Sequence, residues 1–141
     1  MPNLFALPDD ELLALCAWRE ARGEGEAGIV GVMNTICNRA RDWKWTIQHV
    51  ILDHNQFTSM SVASDPEFNL FPVEGDPVYA QCLDQARQVL ASKGQDDNTN
   101  GSHWYANLKH ISENGWFDRN IVQHEDLHPV TAVIGGHTFY A

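Results

Sequence analysis

Residues 16–28 read CAWREARGEGEAG, where Glu20, Arg22, Glu24 and Glu26, preceded by Arg19, follow closely on an apolar run. Leu12, Leu13, Leu15 and Cys16 set the apolar arc of a helix expected to begin at Asp9 or Asp10 and to run to about Gly23. At about 100° per residue, Glu20 falls inside that arc, between the directions of Cys16 and Leu13, and Glu24 lies at its edge. With the helix continuing through Gly23, the two carboxyl groups stand i, i+4 apart, with Cβ atoms roughly 6 Å from each other. A carboxyl among apolar neighbours suits proton donation, whereas Glu24, nearer solvent and close to Arg22, suits charge stabilisation. Cleavage of a glycosidic bond needs such a general acid at the leaving oxygen. Glu24 and Glu26 read equally well as a solvated helix end; for Glu20, on the core side, that reading ranks second.

Further along, Gln56, Thr58 and Asn107 offer neutral hydrogen bonds of the kind that suit N-acetyl and hydroxyl groups. Trp104 and Tyr105 offer flat faces for a sugar ring, but strand alternation sends them to opposite sides, so only one can face a cleft. Trp104 reads equally well as a core aromatic, and Trp43 and Trp45 as hydrophobic anchors.

The elements that must position these groups follow from periodicity and punctuation. A second helix, about Ala27 to Arg41, carries Ile29, Val32, Met33, Ile36, Cys37 and Ala40 on one stripe and is expected to be central. A short helical pattern covers Ile47 to Leu52, polar turn-prone residues follow from Asp53, and 64–76 reads as loop. Asp76 and Pro77 open a third amphipathic helix that Gly94 ends. HWYANL and VTAVIGGHTFY then read as strands, with Gly135-Gly136 as a two-residue hairpin turn. The expected fold class is α+β, mostly helical, in a single domain over residues 1–141 with a small C-terminal antiparallel sheet.

The net charge of −10 repels phosphate backbones and anionic lipid, which disfavours nucleic acid as a partner. No apolar run reaches the roughly 20 residues of a membrane span, so no membrane insertion is expected. Cys16, Cys37 and Cys82, odd in number and without C-x-x-C spacing, suggest neither disulfides nor a zinc ribbon. The N-terminal MPNLFALPDDELL lacks the pattern of a signal peptide, so synthesis in the cytoplasm is expected, with work outside needing another route of release or export.

AWREARGEGEAGIVGVMNTICNRA resembles the signature of the SleB-type, spore-cortex-lytic cell-wall hydrolases, in which E-A-R-G-E leads into a helix ending in N-R, here Asn38-Arg39. Gln56-Phe57-Thr58 resembles the next block of that family, GSHWYANL its glycine-rich entry into an aromatic-Asn segment, and IGGHTFYA its closing strand. The resemblance runs from Leu12 to the end of the chain. It implies a lysozyme-like domain acting on the glycan strands of peptidoglycan, without a cofactor, and similar to lytic transglycosylases. It also implies that Glu20 is the general acid, that Glu24 can be a positioning residue, and that Tyr105 and Asn107 are favoured over Trp104 for the cleft. The segment from Asn114 to His128 has no counterpart in the family pattern. The strong negative charge also departs from it, and suggests a salt-rich setting or a wall poor in exposed anionic polymer.

HEDLH, His124 to His128, matches the H-E-x-x-H motif of zinc peptidases, with Glu125 as base. That motif needs a helix through both histidines, and Pro129 works against one, so a polar loop and no metal are expected. A non-catalytic glycan-binding module would keep the aromatics but has no reason to place Glu20 on an apolar face. The sequence therefore points to a monomeric glycan-strand cleaving enzyme, lytic transglycosylase ahead of a hydrolytic muramidase using Glu20 and Glu24. A phage or prophage endolysin fits the lone domain.

Overall fold

Helix α1 (Asp9–Ala21) is the hub against which the other helices pack. Asp9, Asp10 and Glu11 place negative charge at the positive end of its dipole. From Leu12 to Arg19 every residue is buried, so the expected arc is a complete ring. Helices α2 (Gly25–Trp43) and α5 (Pro77–Ser92) pack on α1, while α3 (Ile47–Leu52) and α4 (Thr58–Ser61) cover its remaining sides. The central place expected for the second helix thus falls to the first, whose Ala14 and Ala17 leave room for neighbours all round. The computed structural model describes residues 3–54 and 56–141. Helix accounts for 49% of the described residues.

Helix α2 has two buried faces of different chemistry. Ile29, Val32, Met33 and Ile36 belong to the apolar core, while Asn34, Thr35, Asn38 and Arg39 are buried against the segment that follows α5. That segment is held by Asp97, whose carboxylate accepts from Asn38 Nδ2 (2.8 Å), Thr99 N (2.8 Å), Thr99 Oγ1 (2.7 Å) and Gly101 N (2.8 Å). Burial pushes the Asp97 carboxyl up, but these donors more than offset it and hold it below its ordinary value. Thr35 Oγ1 and Ser102 Oγ meet at 2.6 Å, which fixes the entry to the first strand.

Strands β1 (Trp104–Ala106), β2 (Val130–Ile134) and β3 (His137–Tyr140) form an antiparallel sheet in the order β1-β3-β2. Gly135-Gly136 joins β2 to β3 as expected, with Ile134 opposite His137. The sheet docks on α2 through Phe139: a Cβ on Gly31 would stand 2.7 Å from the Phe139 ring, so only a glycine admits this approach.

Two elements differ from expectation. The turn-prone stretch after Asp53 contains the four-residue α4, and a π-helical turn spans Asp118–Val122. Cys16 and Cys82 are buried and Cys37 is half-buried; burial pushes the thiols of Cys37 and Cys82 up to about 11, so they stay unreactive at neutral pH. Among the described residues no helix is long and apolar enough to cross a membrane.

Candidate active site

The EARGEG stretch does not continue as one helix. α1 ends at Ala21 with Arg22 as its C-cap, Glu24 is the N-cap of α2, and Gly25 takes a positive φ of 78° that completes the turn. Glu20 and Glu24 therefore sit on either side of a corner, and the expected i, i+4 pairing on a single helix is not formed. The corner is tight, since a Cβ on Gly28 would lie 2.7 Å from that of Glu24. Arg22 does not serve Glu24 either. It lies over the Trp18 ring at 4.3 Å and makes a two-pronged ion pair with Glu67.

Glu20 is half-buried, and each of its oxygens is met by a hydroxyl. Ser59 Oγ is 2.7 Å from Oε2 and Tyr105 Oη is 2.6 Å from Oε1. The neighbouring Arg19 reinforces this arrangement: its Nη1 donates to the Ser59 carbonyl at 3.0 Å and its Nε to the Leu70 carbonyl at 2.9 Å. One turn of α1 thus grips both the backbone and the side chain of Ser59. Burial and the adjacent Glu20 push the Tyr105 hydroxyl well above its ordinary value, which keeps it a donor.

Glu24 is placed against the hairpin. Gly136 N donates to its Oε2 at 3.4 Å, and His137 Nε2 lies 3.8 Å from its Oε1. The Asn107 side chain borders the same turn, 3.3 Å from where a Gly136 Cβ would stand. The Tyr105 ring packs 5.1 Å from that of His137, so Tyr105 connects the two carboxyl groups, by its hydroxyl to one and by its ring to the partner of the other.

The remaining sequence candidates fall into two groups. Gln56 and Phe57 attend Arg39: Gln56 Oε1 accepts from Nη1 at 3.4 Å, and the buried Phe57 ring lies 5.2 Å from the guanidinium. Thr58 is exposed and donates to Asp65 Oδ2 at 2.6 Å, so the residue that touches Glu20 is its neighbour Ser59. Trp104 points to the side of β1 opposite Tyr105 and stands 4.7 Å from the Arg39 guanidinium. Arg39 is itself buried, donates from Nε to the His103 carbonyl at 2.6 Å, and is lowered to about 10 by that burial.

HEDLH forms turns rather than a helix, and His128 Nδ1 lies 2.8 Å from the Ala141 carbonyl oxygen. Among the described residues no group of three His, Cys, Asp or Glu side chains is placed to hold a metal ion.

Comparison with curated proteins finds no match, and comparison with solved structures finds none. A family model described as Cell Wall Hydrolase matches residues 23–140, so that Glu24 falls just inside the matched stretch and Glu20 just before it. With the match covering most of the chain, this protein belongs to the SleB-type cell wall hydrolase family, whose substrate is peptidoglycan.

Proposed function

We propose that the chain cleaves the β-1,4 bond between N-acetylmuramic acid and N-acetylglucosamine as a lytic transglycosylase, with Glu20 as general acid. The observation that carries this reading is the Ser59 and Tyr105 pair on the two oxygens of Glu20. Each carboxyl oxygen has a second lone pair, so a proton can be carried while both hydroxyls stay in place. As that proton passes to the glycosidic oxygen, the C1–O4 bond breaks and Glu20 becomes a carboxylate. Hydrogen bonds to the anion are about twice as strong as those to the neutral acid, so both hydroxyls favour the transition state over the ground state. The muramoyl 6-hydroxyl then attacks C1, closes the 1,6-anhydro ring and returns its proton to Glu20. No second catalytic carboxylate is required.

A hydrolytic muramidase is the second reading. What favours it is the half-buried Glu24, held by Gly136 and His137 on the far side of Tyr105 and able to order a water. Mass spectrometry of digested peptidoglycan separates the two. Anhydro-muropeptides are expected; reducing-end muramic acid would replace the first reading with the second. Glu20→Gln is expected to leave no measurable turnover, and a fully active variant would overturn the assignment of the acid.

A further inference from the structure

Four of the five tryptophans of this chain touch one another in a row, Trp43, Trp104 and Trp116 outside the apolar core and Trp45 packed against it. Trp116 lies 5.6 Å from Trp104, Trp104 lies 5.7 Å from Trp43, and Trp43 meets Trp45 edge-on at 5.3 Å. The row ends where Trp45 stacks flat on the exposed His49 at 4.0 Å. Trp116 is 56% exposed, and Trp43, Trp45 and Trp104 are half-buried, so the row keeps contact with solvent. Its members come from the end of α2, the turn after it, β1 and the segment before the π-helical turn, so only the folded chain assembles it. The buried Arg39 guanidinium lies 5.3 Å from Trp43 and 4.7 Å from Trp104, which fixes both indoles before any ligand arrives.

We infer that this row is a second carbohydrate subsite, a platform for the glycan strand beyond the sugars at Glu20. The inference rests on the proposed glycan-cleaving reading. Two observations select a sugar polymer over a protein partner. The platform meets the candidate site at Arg39, whose guanidinium lies beside Trp43 and Trp104 on the face of β1 opposite Tyr105 and is shared with Gln56 and Phe57, just before Ser59. Its edge also carries paired polar groups, with His103 stacked on Trp43 at 5.8 Å and bonded to Asp42 at 2.6 Å. Flat aromatic faces with donors and acceptors at their edge match the apolar C–H face and equatorial hydroxyls of a pyranose, whereas a protein face calls for a broader apolar patch.

The test is retention of the Glu20→Gln protein on purified peptidoglycan sacculi, measured by sedimentation, with Trp116→Ala or Trp45→Ala added. Each added change is expected to weaken retention about tenfold, in line with the loss of one large aromatic contact. Val73→Ala, which removes a side chain that is 75% exposed elsewhere, is expected to leave retention unchanged. In the Glu20-intact protein, Trp116→Ala is expected to reduce the rate on sacculi more than the rate on the shortest fragment that is cleaved. Unchanged retention, or equal losses on long and short substrates, would overturn the inference. If no glycan is cut by the unsubstituted protein, the catalytic reading fails, yet retention and its sensitivity to Trp116 still decide the platform.

Discussion

Tyr105→Phe isolates the contribution of a single hydroxyl to the chemistry. The ring is retained, and with it the packing on His137 at 5.1 Å and on Phe139 at 5.7 Å. What disappears is the 2.6 Å bond to Glu20 Oε1, which leaves Ser59 as the one hydroxyl bonded to the carboxyl among the described residues. A hydrogen bond to a charged group is worth about 1.5–3 kcal/mol, so if it is made in full only once the proton has left Glu20, turnover falls about 10–100-fold. Among the described residues the hydroxyl has no other bonded partner, and the ring is half-buried, so the folded state should lose about 1 kcal/mol or less. Release of soluble muropeptides under saturating sacculi gives the rate, and urea unfolding gives the stability. Adding Ser59→Ala should reduce turnover further but by less than the product of the two single losses, because both hydroxyls act on one carboxylate. A Tyr105→Phe enzyme within twofold of the parent in turnover would refute the argument that the hydroxyl works mainly in the transition state. So would a rate loss accounted for by the fraction unfolded.

Glu24→Gln should keep turnover within about tenfold of the parent, since an amide oxygen still accepts from Gly136; loss of all turnover in the muropeptide assay would favour the two-carboxylate mechanism. Gly31→Ala should lower unfolding free energy by about 1–3 kcal/mol through overlap with Phe139, and Phe139→Leu in the same chain should restore part of it, both read by urea denaturation. Arg39→Lys should cost about 2 kcal/mol, because an ammonium cannot replace a guanidinium bonded to His103 and Gln56 between three aromatic rings. Asp97 supplies a pH dependence. Its carboxyl is held below its ordinary 3.8 when folded, so its stabilisation is complete above 3.8 and fades as pH falls through the lower folded value. Asp97→Asn should flatten that acid limb in thermal melts taken across the range.

What the sequence made legible were the features with long or repeated signals. The Ile29-to-Ala40 stripe marked α2, Asp76-Pro77 marked the start of α5, and Gly135-Gly136 marked the hairpin. The periodicity of α1 pointed Glu20 inward. The same periodicity failed for Glu24, because helical phase carries no information past a break. That break is set by Arg22 reaching Glu67, 45 residues away in sequence, and by the positive φ at Gly25. Ser59 escaped notice because α4 has four residues, too few for any period to register, and its rotation exchanges Thr58 for its neighbour. The tryptophan row was visible only as scattered residues. Its members come from four segments that the packing of α2 and β1 alone brings together.

The burial of α1 on every side has a consequence for how the two halves of the site breathe. Amide hydrogens near Glu20 belong to a helix that no small fluctuation can lift out, so their exchange with solvent should track unfolding of the whole chain. Glu24 instead leans on a two-residue turn at the edge of a three-stranded sheet, where exchange by local opening is expected to be much faster. Glu20, the proposed acid, is thereby anchored to a helix packed on all sides. The hairpin beside Glu24 is left free to adjust as the proposed glycan substrate enters and leaves.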